Sequence, residues 1–86
     1  MRVAVWDTYV GREDGITMHF DILVPFETPS ENVFEYGRNY LDGKAFKTNG
    51  LDSKACTFCH MEQATQPIVN AIEANGFYII EMENCT

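Results

Sequence analysis

Residues 2–24 decide the fold, and they read RVAVWDTYV, GREDG, ITMHFDILV. The first and last of these runs, residues 2–10 and 16–24, alternate in a period of two, which is typical of strands with one buried face. The five residues between them are polar, with Gly11 and Gly15 at the ends, as in the loop of a β-hairpin. The sequence therefore predicts an antiparallel hairpin.

The register of this hairpin decides which side chains lie on each face. If Val10 lies opposite Ile16, Asp7 lies directly across from His19 at contact distance. A shift of two residues keeps both faces but breaks that pairing. In either register the predicted core face carries Ala4, Trp6, Thr8, Val10, Ile16, Met18, Phe20, Ile22 and Val24. The opposite, mixed face carries Val3, Val5, Asp7, Tyr9, Thr17, His19, Asp21 and Leu23.

Two helices and one more strand follow the hairpin. The run Thr28-Pro29-Ser30-Glu31 predicts a helix start, with Thr28 as the capping hydroxyl, and the helix is expected to end at about Asp42. A second helix is predicted over residues 66–75, with Gly76 as its stop, and a strand over residues 77–82. Residues 44–65 show no long periodicity, and a short strand over residues 55–59 is left open.

This order favours a single α+β domain over residues 1–86. We expect a two-layer sandwich, in which the N-terminal hairpin and the C-terminal strand form a mainly antiparallel sheet packed against two helices. An apolar fraction of 45% and an aromatic fraction of 13% exclude a disordered chain.

Charge and hydropathy narrow the range of partners and locations. Thirteen acidic and six basic residues give a net charge of −7, which disfavours nucleic acid and anionic membranes as partners. No apolar run approaches the length of a spanning helix, and the chain opens in a strand pattern without a signal sequence. We therefore expect a cytoplasmic protein, whose three cysteines are thiols or ligands in preference to disulfides.

The segment Cys56-Thr57-Phe58-Cys59-His60 is the main chemical motif. Two cysteines with two residues between them can bind one zinc ion. Cys85 and His19 would have to complete the site through the fold, and His60, next to Cys59, is a weaker ligand. This zinc or thiol site is the favoured specific hypothesis.

Other functions of the same motif belong to different classes. A covalent haem site fits the residue types but lacks a haem-enclosing helical scaffold. A redox dithiol fits if Lys54 or His60 favours the thiolate, although no buried strand leads into the motif. The third alternative is a structural or protein-interaction module in which the cysteines only pack. Whether the protein is an enzyme, and whether its partner is a protein or a small molecule, stays open.

Asp7 and His19 are catalytic candidates, since a carboxylate can orient an imidazole for acid–base chemistry. A hydrogen-bonded surface pair across the strands is the more common reason for a His beside an Asp on such a face. A thiolate folded over them would complete a set of nucleophile, base and orienting acid. The same face carries Val3, Val5 and Leu23, which suggests cover by a second subunit in a homodimer.

Four separated stretches together resemble a known family. They are residues 5–10 (VWDTYV), 18–21 (MHFD), 56–60 (CTFCH) and 78–82 (YIIEM). In this order they are similar to the small bacterial family called domain of unknown function 2024. The resemblance implies a compact α+β domain and supplies no catalytic residues.

Overall fold

A computed structural model describes all 86 residues and contains six regular elements. The four strands form one antiparallel sheet in the order β3-β1-β2-β4. The predicted α+β fold, with an N-terminal hairpin, a C-terminal strand and two helices, is confirmed. The elements are β1 (Arg2–Gly11), β2 (Thr17–Pro25), α1 (Ser30–Asp42), β3 (Cys56–Gln63), α2 (Gln66–Asn75) and β4 (Tyr78–Glu83).

The hairpin forms as predicted, but the predicted register was wrong by two residues. Val10 pairs with Met18, and Gly11 pairs with Thr17. The backbone N–H of Arg12 donates to the carbonyl of Ile16 at 2.8 Å, and Gly15 has a φ of 90°. Because this loop extends through Ile16, that side chain lies outside the core and is 44% exposed. The other assignments to the two faces hold.

Each helix covers a different face of the sheet. On the first face, called the α1 face, Val33 and Leu41 of α1 pack against buried side chains of the hairpin. On the second, called the α2 face, Ile72 packs against Val3, Val5 and Leu23. The two-layer description did not anticipate this division. The apolar hairpin residues buried on the α1 face are Ala4, Val10, Met18, Phe20, Ile22 and Val24, and the polar residue buried with them is Thr8.

The position of α2 bears on the predicted homodimer. Val3, Val5 and Leu23, the apolar residues that suggested a covering subunit, are buried beneath α2 of the same chain. The homodimer stays a prediction, without that argument for it. Beyond Val5 and Leu23, the α2 face continues into polar side chains that are half-buried or exposed.

The helix ends agree with the sequence except at the first cap. Pro29 occupies the N-cap position of α1 and no side chain caps the helix, so Thr28 does not have the capping role assigned to it. α2 begins after Thr65 and ends at Gly76 in the left-handed conformation, with φ 91°. No helix is both long enough and apolar enough to cross a membrane.

β3 is longer than the short strand considered from the sequence and lies at the edge of the sheet, beside β1. Val5 pairs with His60, whereas the next residue, Trp6, pairs with Phe58. Cys59 is therefore the extra residue of a β-bulge. All of β3 except Cys56 is exposed.

We expect Gly76→Ala to destabilise the fold by about 1–2 kcal/mol, because a side chain in the left-handed region is strained. An added Cβ would also meet the Tyr36 hydroxyl at 2.6 Å. Gly43→Ala is the matched control: Gly43 has φ −83°, and its Cβ would meet only an ordinary 3.5 Å contact. Urea denaturation should show a lower free energy of unfolding for Gly76→Ala but not for Gly43→Ala. Equal stability of the two variants would contradict this account.

Candidate functional site

Three titratable side chains converge on the uncovered part of the α2 face. The register places Asp7 of β1 directly opposite Asp21 of β2, and Tyr9 opposite His19. His19 Nε2 lies 2.5 Å from Asp7 Oδ1 and 4.0 Å from Asp21 Oδ1. The contact expected between Asp7 and His19 therefore forms, but diagonally across the strands instead of directly.

These three residues, called here the Asp–His–Asp cluster, have the geometry of a metal site. One potential ligand atom from each of Asp7, His19 and Asp21 lies within 4.8 Å of the other two. No other group of three or more His, Cys, Asp or Glu side chains in the structure meets this spacing. The side chains are 31%, 20% and 15% exposed, respectively, so that the cluster is shielded but open to solvent on one side.

The electrostatics of the cluster are unfavourable for two ionised carboxylates. Burial raises the pKa of Asp21, and hydrogen bonding and repulsion from Asp7 raise it further. The charges of His19 and, after it, of His60 on β3 act in the opposite direction. Tyr9 stacks on the His19 ring, with centroids 4.3 Å apart and planes 9° apart, which holds the imidazole in place.

The three cysteines lie in different environments. Cys56 is buried on the α1 face, where its Sγ accepts a hydrogen bond from Thr8 Oγ1 at 3.3 Å and burial raises its pKa. Cys85 is also buried, and its Sγ donates to the backbone carbonyl of His19 at 3.4 Å. Cys59 is exposed at the bulge. Of the residues proposed from the sequence as ligands, only His19 belongs to the Asp–His–Asp cluster.

The neighbours of Cys59 form a separate polar group. His60 Nδ1 lies 3.2 Å from Cys59 Sγ, and His60 Nε2 lies 2.7 Å from Glu62 Oε1. No thiol forms a hydrogen bond with the side chain of His19: Cys59 Sγ lies beside His60 Nδ1, and Cys85 Sγ donates to the His19 backbone carbonyl. The nucleophile, base and acid set considered around Asp7 and His19 is therefore not assembled.

Sequence reasoning placed Asp21 on the correct face but did not select it as a site residue. The available signal was its spacing: two residues after His19 in a strand, it must share the face of that imidazole. Its position opposite Asp7 depends on the register, which the sequence pattern did not determine.

The fold and this polar cluster define a small α+β domain with a half-buried group of carboxylates and imidazole on one sheet face. Residues 1–82 match the family model described as Domain of unknown function (DUF2024), and the chain belongs to that family. The resemblance stated from the four sequence stretches is thereby confirmed.

A solved structure supports the same fold. The chain is similar to protein NE1680 from Nitrosomonas europaea, determined by NMR, with 32% sequence identity and a TM-score of 0.81. The similarity covers 100% of both chains. The comparison with curated proteins found no match.

We expect Asp21→Asn to stabilise the metal-free protein at pH 7. The folded state raises the pKa of Asp21 above its ordinary 3.8. The free energy of unfolding therefore falls as pH rises from 3.8 to the raised pKa, because the unfolded state loses the proton first. An amide does not titrate, so the variant avoids this loss of stability. The advantage should disappear below pH 3.8, where the carboxyl group is protonated in both states. Urea denaturation across pH, in chelator, measures it.

Glu27→Gln is the control for net charge, because Glu27 is exposed and makes no ion pair in the structure. It should change stability little at any pH. An Asp21→Asn variant that is less stable than wild type at pH 7 would show that the carboxylate pair is favourable.

Proposed function

We propose that this protein binds one divalent transition-metal ion, preferably Zn²⁺, through Asp7, His19 and Asp21. The observation that carries the proposal is the convergence of the three ligand atoms within 4.8 Å. Carboxylate oxygen and imidazole nitrogen bind zinc at about 2.0–2.2 Å, so modest side-chain movement brings all three to one ion. Three protein ligands leave a position open for water or a small ligand, as in catalytic zinc sites.

The charge balance of the cluster supports a cation. Two carboxylates directly opposite each other across a strand pair repel when both are ionised. Burial raises the pKa of Asp21, and the hydrogen bond with Asp7 and repulsion from it raise that pKa further. A divalent ion placed between the carboxylates replaces repulsion by attraction to both.

The ligand set differs from the cysteine set favoured by the sequence, and His19 is common to both. Cys56 and Cys85 are poor candidates, because both thiols are buried and already in hydrogen bonds. Cys59 and His60 are exposed and contact each other. A zinc site built on the cysteines therefore requires rearrangement of the core, whereas the Asp–His–Asp cluster does not.

We expect chelator-treated protein to bind one Co²⁺ or Zn²⁺ ion, as measured by calorimetry and by the visible absorption of Co²⁺. Asp21→Asn and His19→Gln should each weaken binding by at least about tenfold, because each removes a ligand. Binding should also weaken as pH falls, since the ligands must be deprotonated.

Cys59→Ser and Glu62→Gln are matched controls, because both lie outside the Asp–His–Asp cluster and should leave binding unchanged. A thiolate-to-cobalt charge-transfer band that is lost in Cys59→Ser would show that the metal binds at the cysteine motif instead. Absence of stoichiometric binding would overturn the proposal and favour a module without metal.

The interaction-module alternative is supported by the edge strand β3. It presents an unpaired backbone edge, and Phe58 and Met61 are 50% and 40% exposed. Such an edge can pair with a second copy or with another protein. The homodimer suggested by the sequence would then form through β3. Sedimentation equilibrium over a wide concentration range tests it, and a monomer at every concentration removes it.

The redox-dithiol alternative has less support. Burial raises the pKa of Cys56, which disfavours the thiolate that disulfide exchange requires. Cys56 lies in the core and Cys59 at the exposed bulge. A dithiol mechanism would need both sulfur atoms to meet, and this arrangement opposes that.

A further inference from the structure

Cys59, His60 and Glu62 form a continuous hydrogen-bonded chain outside the Asp–His–Asp cluster. The Cys59 Sγ to His60 Nδ1 distance is 3.2 Å, and the His60 Nε2 to Glu62 Oε1 distance is 2.7 Å. The two ring nitrogens of one imidazole thus face a thiol on one side and a carboxylate on the other. This is the order of groups that activates a thiol nucleophile: sulfur, base and orienting acid.

The β-bulge explains how adjacent residues of a strand come into contact. In a regular strand the side chains of Cys59 and His60 would point to opposite faces. Cys59 is the extra residue between the Val5–His60 and Trp6–Phe58 pairs, and a bulge of this kind re-aims a side chain. His60 and Glu62 are two residues apart and share a face, so their contact follows from ordinary strand geometry.

Glu62 fixes the role of each imidazole nitrogen. A carboxylate only accepts hydrogen bonds, so His60 Nε2 carries the hydrogen and donates it to Glu62. The neutral ring then has its lone pair on Nδ1, which is the nitrogen beside Cys59. Nδ1 is therefore the atom that can accept the thiol proton.

We propose that Cys59 is a nucleophilic thiol that exchanges with small cationic disulfides, with His60 as its base and Glu62 as a positioning residue. The Cys59 proton moves to His60 Nδ1, and the thiolate attacks one sulfur of the disulfide. A bond forms between Cys59 Sγ and that sulfur while the disulfide bond breaks. The leaving thiolate takes the proton from His60 and departs as a thiol. Cys59 is oxidised to a mixed disulfide, and the other half of the reagent is reduced.

The mixed disulfide persists because no second thiol is placed to resolve it. Cys56 and Cys85 are buried, with exposures of 1% and 5%. The chemistry is therefore that of a single cysteine and differs from a Cys-x-x-Cys dithiol cycle. The expected product is a chain that carries one half of the disulfide reagent, bonded to Cys59.

The preference for a cationic disulfide follows from the surrounding charge. Glu62 contacts the His60 ring on the side away from the thiol, and Asp7 and Asp21 lie on the sheet face that carries His60 and Glu62. The chain as a whole carries a net charge of −7. Arg2 on β1 faces Met61 and is the basic side chain that contacts this part of β3. The excess of negative charge attracts a cationic reagent and repels an anionic one.

The test compares cystamine, which is cationic, with oxidised glutathione, which is anionic, on the full chain at low salt. Mass spectrometry should show one added cysteamine, and peptide mapping should place it on Cys59. Cystamine should react at least about tenfold faster than oxidised glutathione, with the ratio shrinking as salt is added. Equal rates for the two reagents at low salt would overturn the charge preference.

Variants test the roles of the other two residues through iodoacetamide alkylation of Cys59. At pH 7, His60→Gln should react at least about tenfold more slowly than wild type, and the difference should narrow at high pH, where the thiol ionises without a base. Glu62→Gln, which can still accept from Nε2, should lose less rate than Glu62→Ala. Glu73→Gln, exposed on α2, is the charge-matched control and should behave as wild type.

Two results would overturn the proposal. One is a wild-type rate at Cys59 no greater than in the urea-unfolded chain, where the three side chains are no longer held together. The other is an alkylation rate of Cys59 in His60→Gln that equals the wild-type rate at every pH. Circular dichroism of each variant confirms that the fold is retained. Because metal binding is measured separately and uses other residues, failure of either proposal leaves the other intact.

Discussion

The pairing of β1 with β2 is the constraint on which the rest of the structure depends. These are the two central strands, and β3 and β4 add to their outer edges. A slip of one residue would move Phe20 and Ile22, both fully buried, to the opposite face. A slip of two would preserve the faces, so the loop must decide between the alternatives. The hydrogen bond from the backbone N–H of Arg12 to the Ile16 carbonyl, together with the positive φ of Gly15, selects the observed register.

This register has an electrostatic consequence. It sets Asp7 directly opposite Asp21, an arrangement that by itself disfavours folding with both groups ionised. Apolar burial on the α1 face offsets that cost, because its contribution to stability is far larger than the penalty of one unfavourable pair of half-buried carboxylates. The polar end of the α2 face is thus held in place by packing on the other side of the sheet. The same rigidity positions the cluster for a ligand.

The sequence was sufficient for the fold because the hairpin faces, the helices and the Gly76 stop each have a strong local pattern. It was insufficient for the register, since a period of two is unchanged by a two-residue shift. The full length of β3 was missed for a related reason. An edge strand exposed over nearly its whole length has no alternation of buried and exposed residues to detect.

The candidate site could be predicted only in part. Asp7 and His19 were expected to meet directly across the strands in the Val10–Ile16 register, and a shift of two residues was expected to separate them. The shift occurs, yet the two side chains still meet, because diagonal neighbours remain within reach of each other. The cysteine spacing was judged as a loop motif, in which both thiols are free to point at one ion. In a strand, residues three apart point to opposite faces, so that Cys56 turns into the core and Cys59 lies exposed at the bulge.

The two proposed sites share one electrostatic field, because His60 is close enough to Asp21 for its charge to affect the pKa of that carboxyl group. A divalent ion at the Asp–His–Asp cluster would neutralise the carboxylates that make this face attractive to cationic reagents. The bound ion should therefore reduce the preference of Cys59 for cystamine over oxidised glutathione. It should leave the local contacts among Cys59, His60 and Glu62 unchanged, because none of these three residues is a ligand in the cluster. Any coupling between the sites would then be through charge, and would weaken with salt.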